Sequence, residues 1–376
     1  MSLASKILYI FDQGDWQSRM PVAIAAKEAG HDVVIALIGS ADITNPPKGF
    51  ETVHIKSPAG QMNARALPGM VKQLRRLILE QQPSMVHAVT LKYSFFTGLA
   101  ALPFKGLHKI YTLAGLGYLF RSSDAKARIM RAMLAPLLKH VLKAEGATLI
   151  FQNSDDLALM IELGYADQAR SILIRGSGVP LDKFNAAPEP ESEAPLVLMP
   201  TRLVHEKGVH IFVEAARLIK AAGIPARFQI AGGETKHNPK AISREEMLRL
   251  TSDGTVEWLG RVEDIPALLE QSALIVYPSY YGEGIPRVLL EACAAGRAII
   301  TTDHPGCREA VDDGENGLLV PIKDVKATAE AMKEILRDRA KRAAMGEKSR
   351  IKAQDEFAIE HVVRDTIAVY GRAIKS

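Results

Sequence analysis

Two cysteines in 376 residues, Cys293 and Cys307, rule out a disulfide framework, and their spacing is not that of metal ligands. A reduced, cytoplasmic protein is the simplest expectation. No run of 18 or more apolar residues occurs, so no membrane-spanning helix is expected. The amino terminus does not read as a secretory signal, because the short strand-like run 6–11 meets Asp12 and Gly14 at once. There is no Asp-x-Asp to hold a metal–diphosphate complex, so neither a metal nor a resident cofactor is expected. The loop after the first strand, around Gly14, is not G-x-G-x-x-G, which disfavours a dehydrogenase-type dinucleotide site. Repeats of solenoid length are also absent.

What remains is an ordinary globular composition, 47% hydrophobic and 24% charged, with a length that favours two domains. The net charge of +4 is unevenly placed. Residues 1–180 hold 20 Lys and Arg against 13 Asp and Glu, whereas residues 181–376 hold 27 against 30. A basic first half suits an anionic partner: phosphate, a diphosphate lipid or a membrane surface. The cations are dispersed and match no nucleic-acid-binding motif, so nucleic acid is not expected.

Strand-like and helical runs alternate along the chain. Strands are expected at 6–11, 32–38, 52–55, 85–89, 108–113, 148–151 and 171–174. Between them lie helical runs at 17–29, 63–81, 94–102, 125–144 and 154–163. Residues 185–195, with three prolines and three glutamates, read as an exposed linker. A second alternation follows, with strands at 196–200, 226–231, 255–259, 273–277, 298–301 and 318–320. Its helices are expected at 208–222, 241–252, 263–271, 286–295 and 306–312, and helical pattern dominates from Val325 onward. This is the signature of an α/β protein with two doubly wound, Rossmann-like parallel-sheet domains, 1–184 and 196–355, facing across a cleft. A last helix, 356–376, is expected to return to the first domain. Ligands of such sheets sit beyond the carboxyl ends of the strands, where Gly14, Arg202 and Glu283 fall.

The stretch 278–291, P-S-Y-Y-G-E-G-I-P-R-V-L-L-E, joins an apolar strand to a helix. Pro286 suits the first helical turn, and the N–H groups over Gly284, Ile285, Pro286, Arg287 and Val288 suit an anion. Glu283 and Glu291 offer acceptors for sugar hydroxyls on either side. Taken alone, the same pattern also fits a capped strand–loop–helix with two solvated glutamates. Arg202 and Lys207, five apart in a loop that leads to a helix, suit a diphosphate: one as a planar fork, the other as a mobile point charge.

The run E-G-I-P-R-V-L-L-E-A, followed by G-R-A-I-I-T-T-D-H-P-G-C-R-E and D-G-E-N-G-L-L-V-P, resembles the donor site of retaining nucleotide-sugar glycosyltransferases of family four, which have the GT-B fold. Glu283 and Glu291 match that family's Glu-x7-Glu pattern. The resemblance is dense over 199–321 and looser in the amino-terminal half. It implies that Arg202 and Lys207 neutralise the leaving diphosphate, that Glu283 orients the sugar and that Glu291 holds the ribose. Arg261 and Val262 would lie near the base, and Gly14 would face the donor phosphates. Asp12 and Asp15 beside Gly14 oppose that last role.

His87 to Lys92 and the segment T-L-A-G-L-G-Y-L-F resemble a subgroup of bacterial polysaccharide transferases. On that basis His87, Lys92, Gly117 and Tyr118 are candidate acceptor contacts, with G-L-G-Y as a loop. His87 reads first as a strand-end histidine and only second as a catalyst. Thr112, Leu113 and Ala114 stand where many family members carry a histidine, so no catalytic histidine is assigned there. In 125–144, Met130, Met133, Leu134, Leu137, Leu138 and Val141 form an apolar stripe, with Lys126, Arg128, Arg131, Lys139 and Lys143 mostly on other faces. That helix packs on a sheet, and its basic face is suited to anionic lipid.

The resemblance implies a retaining transferase that moves a hexose or N-acetylhexosamine from a UDP-sugar to a polyprenyl-diphosphate-linked saccharide, in surface polysaccharide or glycoprotein glycan synthesis. It would be peripheral on the cytoplasmic face of the inner membrane. Two other readings compete: a UDP-sugar 2-epimerase of the same fold, and a non-catalytic nucleotide-sugar-binding protein. Product analysis without acceptor separates the first, and donor hydrolysis or transfer excludes the second.

Overall fold

The computed structural model describes residues 5–39, 46–57, 67–122, 124–235, 238 and 240–375. The chain divides into two compact units, one of residues 1–177, 282–284 and 359–376, the other of 178–281 and 285–358. Residues 63–66 of the helix expected at 63–81 lie outside the described residues, and the helix runs Leu67–Gln81.

The first unit holds seven strands: β1 (Lys6–Asp12), β2 (Asp32–Gly39), β3 (Glu51–Lys56), β4 (Met85–Val89), β5 (His108–Leu113), β6 (Ala147–Phe151) and β7 (Ser171–Leu173). They form one parallel sheet in the order β3-β2-β1-β4-β5-β6-β7. Successive β1 side chains enter different cores: Leu8 and Ile10 pack on one face, Ile7, Tyr9 and Phe11 on the other. Burial on both faces explains why these strands read as continuous apolar runs rather than as alternating ones. The helix Ile359–Lys375 completes one face, burying Val362, Val369, Tyr370 and Ala373 with the β1 residues.

The second unit holds β8 (Leu196–Pro200), β9 (Arg227–Ala231), β10 (Val256–Gly260), β11 (Leu274–Tyr277), β12 (Ala298–Thr302) and β13 (Gly317–Val320). The order is β10-β9-β8-β11-β12-β13, again all parallel. In both sheets the chain starts in the middle and winds outward in both directions. The strand order therefore reverses between β1 and β4, and between β8 and β11. Loops leaving those strands diverge above and below the sheet and leave room for a ligand.

Residues 178–195 belong to the second unit. Although 185–195 is largely exposed, Glu189 is held at 2.6 Å by Arg342, and both side chains are buried. Arg342 also donates to the carbonyls of Ile335 and Leu336, each at 2.9 Å. The Pro-rich segment is thus pinned by a buried, fully bonded ion pair.

Three local features differ from expectation. Gly117–Arg121 is a short helix rather than a loop. Pro286 is the N-cap of the helix Arg287–Ala294 and not its first helical residue, with ψ at 125°. In the helix Ala125–Leu142, Leu138 and Val141 are buried as expected, but Ile129, Met133 and Leu137 are 60, 68 and 39% exposed. These three are spaced four apart and form a stripe one residue wide on the solvent side. No helix of the described residues is long and apolar enough to cross a membrane.

Candidate active site

In the second unit, β8 runs into the loop 201–208 and β11 into the loop that begins at Pro278. Because β8 and β11 pair, their exits meet. Val204 N–H donates to the Arg202 carbonyl at 2.8 Å, and a 3-10 turn, His205–Lys207, follows. Gly208 ends the turn at φ 81° and begins the helix Val209–Ala221. A Cβ on Gly208 would stand 2.2 Å from the Pro278 carbonyl oxygen, so both conformation and space require glycine. The Glu206 carbonyl accepts the Tyr280 N–H at 2.9 Å and the Ser279 hydroxyl at 3.3 Å.

These ties set the cations differently. Lys207 is 3% exposed, its ammonium 5.3 Å from the Tyr277 ring centre and 5.0 Å from that of Tyr281. Two aromatic faces lie against the charge and help to fix its position. Arg202 is exposed and makes no ion pair among the described residues. No side chain caps the helix Arg287–Ala294; Leu289 and Leu290 donate to the Pro286 carbonyl. The amides of Arg287 and Val288, like those of any first helical turn, point out of the helix. One turn on, Glu291 accepts from Arg287 Nε at 2.8 Å. Burial pushes the Glu291 carboxyl above the usual carboxylate range, and Arg287 opposes it.

Arg261 is exposed and Val262 half-buried, just after β10. Their loop is tied to that of β9 by Gly232 N–H donating to the Gly260 carbonyl at 2.7 Å. Trp258 is half-buried against the core of this unit, and its indole N–H donates to the Gly232 carbonyl at 2.8 Å.

The first unit receives Gly282–Gly284, and with it Glu283. A Cβ on Gly115, whose φ is 95°, would lie 2.6 Å from the Glu283 backbone and the Gly284 nitrogen. One on Gly282 would meet Arg121, and one on Gly284 would meet Gln152 Oε1 at 2.7 Å. The backbone on both sides of Glu283 is therefore closely packed: a side chain at 282 would displace Arg121, and one at 284 would push on Gln152. Arg121 is in turn fixed by an ion pair to the fully buried Asp156. Asn153 holds Asp156 at 2.9 Å from its amide side chain. Sequence reasoning passed over Gly115, Arg121, Gln152 and Asp156. Only the cap-like Asn153-x-x-Asp156 spacing was visible, and nothing in it points to Glu283.

The other first-unit candidates are placed as follows. Gly14 lies in the turn after β1, where its N–H donates to Asp12 Oδ1 at 2.8 Å. The amide that a phosphate would take is therefore engaged by a carboxylate. Asp12 Oδ2 accepts the Tyr93 hydroxyl at 2.7 Å. Lys92 is half-buried, 5.0 Å from the Tyr93 ring centre, and burial pushes its ammonium below the usual lysine range while Asp12 opposes this. Thr90, just before it, adopts φ 79°, strained backbone for a β-branched residue at the end of β4.

His87 is 2% exposed. Its Nδ1 is 2.5 Å from the Tyr370 hydroxyl, its Nε2 2.7 Å from Thr112 Oγ1, and its ring stacks on Tyr9. Burial, helped by Arg19, pushes its pKa down to about 3. The ring is neutral at ordinary pH, with both nitrogens partnered, so it anchors the helix Ile359–Lys375 inside the unit and presents no surface to an acceptor. Gly117 opens the short helix, and Tyr118 donates to the Asp124 carboxylate at 2.7 and 2.8 Å.

Known proteins match this architecture along nearly the whole chain. Residues 6–154 match the family described as "Glycosyl transferase 4-like", and residues 182–352 the family "Glycosyl transferases group 1". A Campylobacter jejuni protein, the N,N'-diacetylbacillosaminyl-diphospho-undecaprenol alpha-1,3-N-acetylgalactosaminyltransferase, is 27% identical over 95% of this chain and 96% of its own. The sucrose-phosphate synthase of Thermosynechococcus elongatus has the same fold, with a TM-score of 0.82 at 20% identity over 99% of both chains. Anabaena HepE, solved in complex with UDP-glucose, superposes with a TM-score of 0.73 at 17% identity over 97% of this chain and 100% of its own. With two glycosyltransferase family matches, one over each part of the chain, and the fold to go with them, the chain belongs to the GT-B glycosyltransferases.

Proposed function

We propose that the protein transfers a hexose or N-acetylhexosamine from a UDP-sugar to a polyprenyl-diphosphate-linked saccharide, with retention of anomeric configuration. The observation that carries this reading is the arrangement at the β8–β11 exits. There Lys207 is held between two tyrosine rings, Arg202 is exposed nearby in sequence, and an uncapped helix begins at Arg287. Two cations and a helix N-terminus suit a leaving diphosphate. The UDP-glucose complex of HepE supports the donor class, and the diphospho-undecaprenol in the Campylobacter relative's name supports the acceptor class.

In this reading the 196–355 part binds the donor and the 1–184 part the acceptor. Glu283, its backbone gripped on both sides, orients the sugar, and Glu291 holds the ribose hydroxyls. Arg261 and Val262 lie along the nucleobase. The acceptor hydroxyl attacks the anomeric carbon on the face the diphosphate leaves. The new glycosidic bond forms as the bond to the diphosphate breaks, and the diphosphate oxygen takes the hydroxyl proton. The reaction needs no metal and no resident cofactor.

We place the enzyme at the cytoplasmic face of the inner membrane, as a peripheral protein. The exposed stripe of Ile129, Met133 and Leu137, flanked by the exposed cations Lys126 and Arg128, supports this. Incubation with a panel of UDP-sugars and polyprenyl-diphosphate saccharides, with the product read by NMR, tests the whole reading. A product of inverted configuration, or no transfer from any UDP-sugar, overturns it.

A further inference from the structure

Among the described residues one cluster of metal-binding side chains stands outside the chemistry proposed above. His205 lies in the 3-10 turn after β8, His210 in the first turn of the helix Val209–Ala221, and Glu246 in the helix Arg244–Leu250. One ligand atom from each lies within 4.8 Å of the other two. The two oxygens of Glu246 face different histidines: Oε1 is 3.0 Å from His210 Nε2, and Oε2 is 3.8 Å from His205 Nε2. The imidazoles are parallel, with ring centres 5.4 Å apart and planes 9° from each other.

The backbone holds the three in place. His205 N–H donates to the Lys240 carbonyl at 3.0 Å, and Ile242 N–H to the Leu203 carbonyl at 3.0 Å, so the turn carrying His205 is laddered to the segment leading to Glu246. Ser243 caps the Glu246 helix, accepting the Glu246 N–H at 3.2 Å. Gly208, which has no tolerance for a side chain, fixes His210 relative to His205. All three side chains are half-buried, so water and ions reach them.

We propose that His205, His210 and Glu246 form a binding site for a borderline transition metal ion, with zinc the best fit. Two imidazole nitrogens and one carboxylate oxygen are a donor set that suits zinc, with water filling the remaining position. Hard ions that prefer all-oxygen cages are disfavoured by the same donors. Each side chain needs to shift by only about 1 Å to bring its ligand atom to a zinc–ligand distance of about 2.0–2.2 Å. The ion takes no part in sugar transfer. It staples the turn that carries Lys207 to two helices of its own unit.

The test uses the full chain, purified in chelator and desalted, with zinc chloride as the probe. Competition against a chromogenic zinc chelator reads affinity and stoichiometry, and thermal melting reads the staple. We expect one equivalent of zinc bound and a higher melting temperature in its presence. His210→Asn and Glu246→Gln should each weaken binding at least about tenfold and remove the thermal shift. Circular dichroism without zinc verifies that each variant is folded, and His205→Asn replaces any that is not. Binding of less than one equivalent, or equal binding and equal thermal shift in the folded variants, overturns the site. Neither readout depends on activity, so failure here leaves the transfer reading untouched.

Discussion

Gly208 and Pro278 touch backbone to backbone: the position of a Cβ on Gly208 is 2.2 Å from the Pro278 carbonyl oxygen. That contact locks the turn carrying Lys207 to the exit of β11. Gly208→Ala must escape both the clash and a φ of 81°. We predict a stability loss of about 2 kcal/mol or more, and a turnover loss larger than any change in UDP affinity. Urea titration and steady-state rates decide it. An alanine variant as stable and active as the parent would show that the turn is free to move.

Arg202→Ala and Lys207→Ala should each lower turnover by about ten- to a thousandfold. Their structural costs should differ. Lys207 sits between two rings and should lose about 1 kcal/mol of stability, whereas the exposed Arg202 should lose almost none. Near-normal turnover in both variants removes the diphosphate role.

The glutamates should separate by ligand. Glu291→Ala is expected to weaken UDP and UDP-sugar alike. Glu283→Ala should keep UDP affinity and lose about a hundredfold in turnover, because a displaced reacting group is that costly. Calorimetry with UDP beside transfer rates distinguishes them, and the opposite pattern reverses the two roles.

His87 gives a pH test. Its folded pKa of about 3 lies below the ordinary value of 6.5, so on acidification the unfolded chain takes up the proton first. Its contribution is complete above pH 6.5 and is lost as pH falls toward 3, at about 1.4 kcal/mol per unit. Urea midpoints between pH 7 and 5 should fall less steeply in His87→Gln than in the parent. Parallel slopes would mean that the imidazole is not buried neutral.

Binding to anionic vesicles should exceed binding to neutral ones and weaken with salt. Ile129→Ser combined with Met133→Ser should reduce it, and Lys126→Glu with Arg128→Glu should reduce it further, with UDP affinity spared. Sedimentation with vesicles measures this. Unchanged sedimentation in both double variants would leave the exposed stripe without a lipid role.

The strands of the described residues lie where the sequence places them, and the inner ones, such as β1, β4 and β8, leave an uninterrupted apolar signal because both their faces are buried. That Arg202 and Lys207 fall in the loop and turn after β8, and Glu291 in the helix after β11, was legible for a related reason: the pattern that places them is local. What escaped depends on distant chain. That His87 is sealed by Tyr370, 283 positions away, cannot be read from the strand it sits on. Nor does the sequence near Glu283 tell of Gly115 and Gln152, or that near His205 and His210 of Glu246. In the helix Ala125–Leu142 the apolar periodicity was visible, but which part of a wide stripe meets the sheet was not. Met133 and Leu137 fell on the far side.

The helix Ile359–Lys375 belongs to the unit that begins the chain. During synthesis the β1–β7 sheet leaves the ribosome well before that helix, with the whole second unit made in between. Until Val369 and Tyr370 arrive, the face of Ile7, Tyr9 and Phe11 lacks part of its cover, and His87 lacks one of its partners. A chain released after Ala358 should therefore hold one finished unit and one unfinished one, the earlier-made of the two being the later to mature. The order of synthesis and the order of completion run in opposite directions.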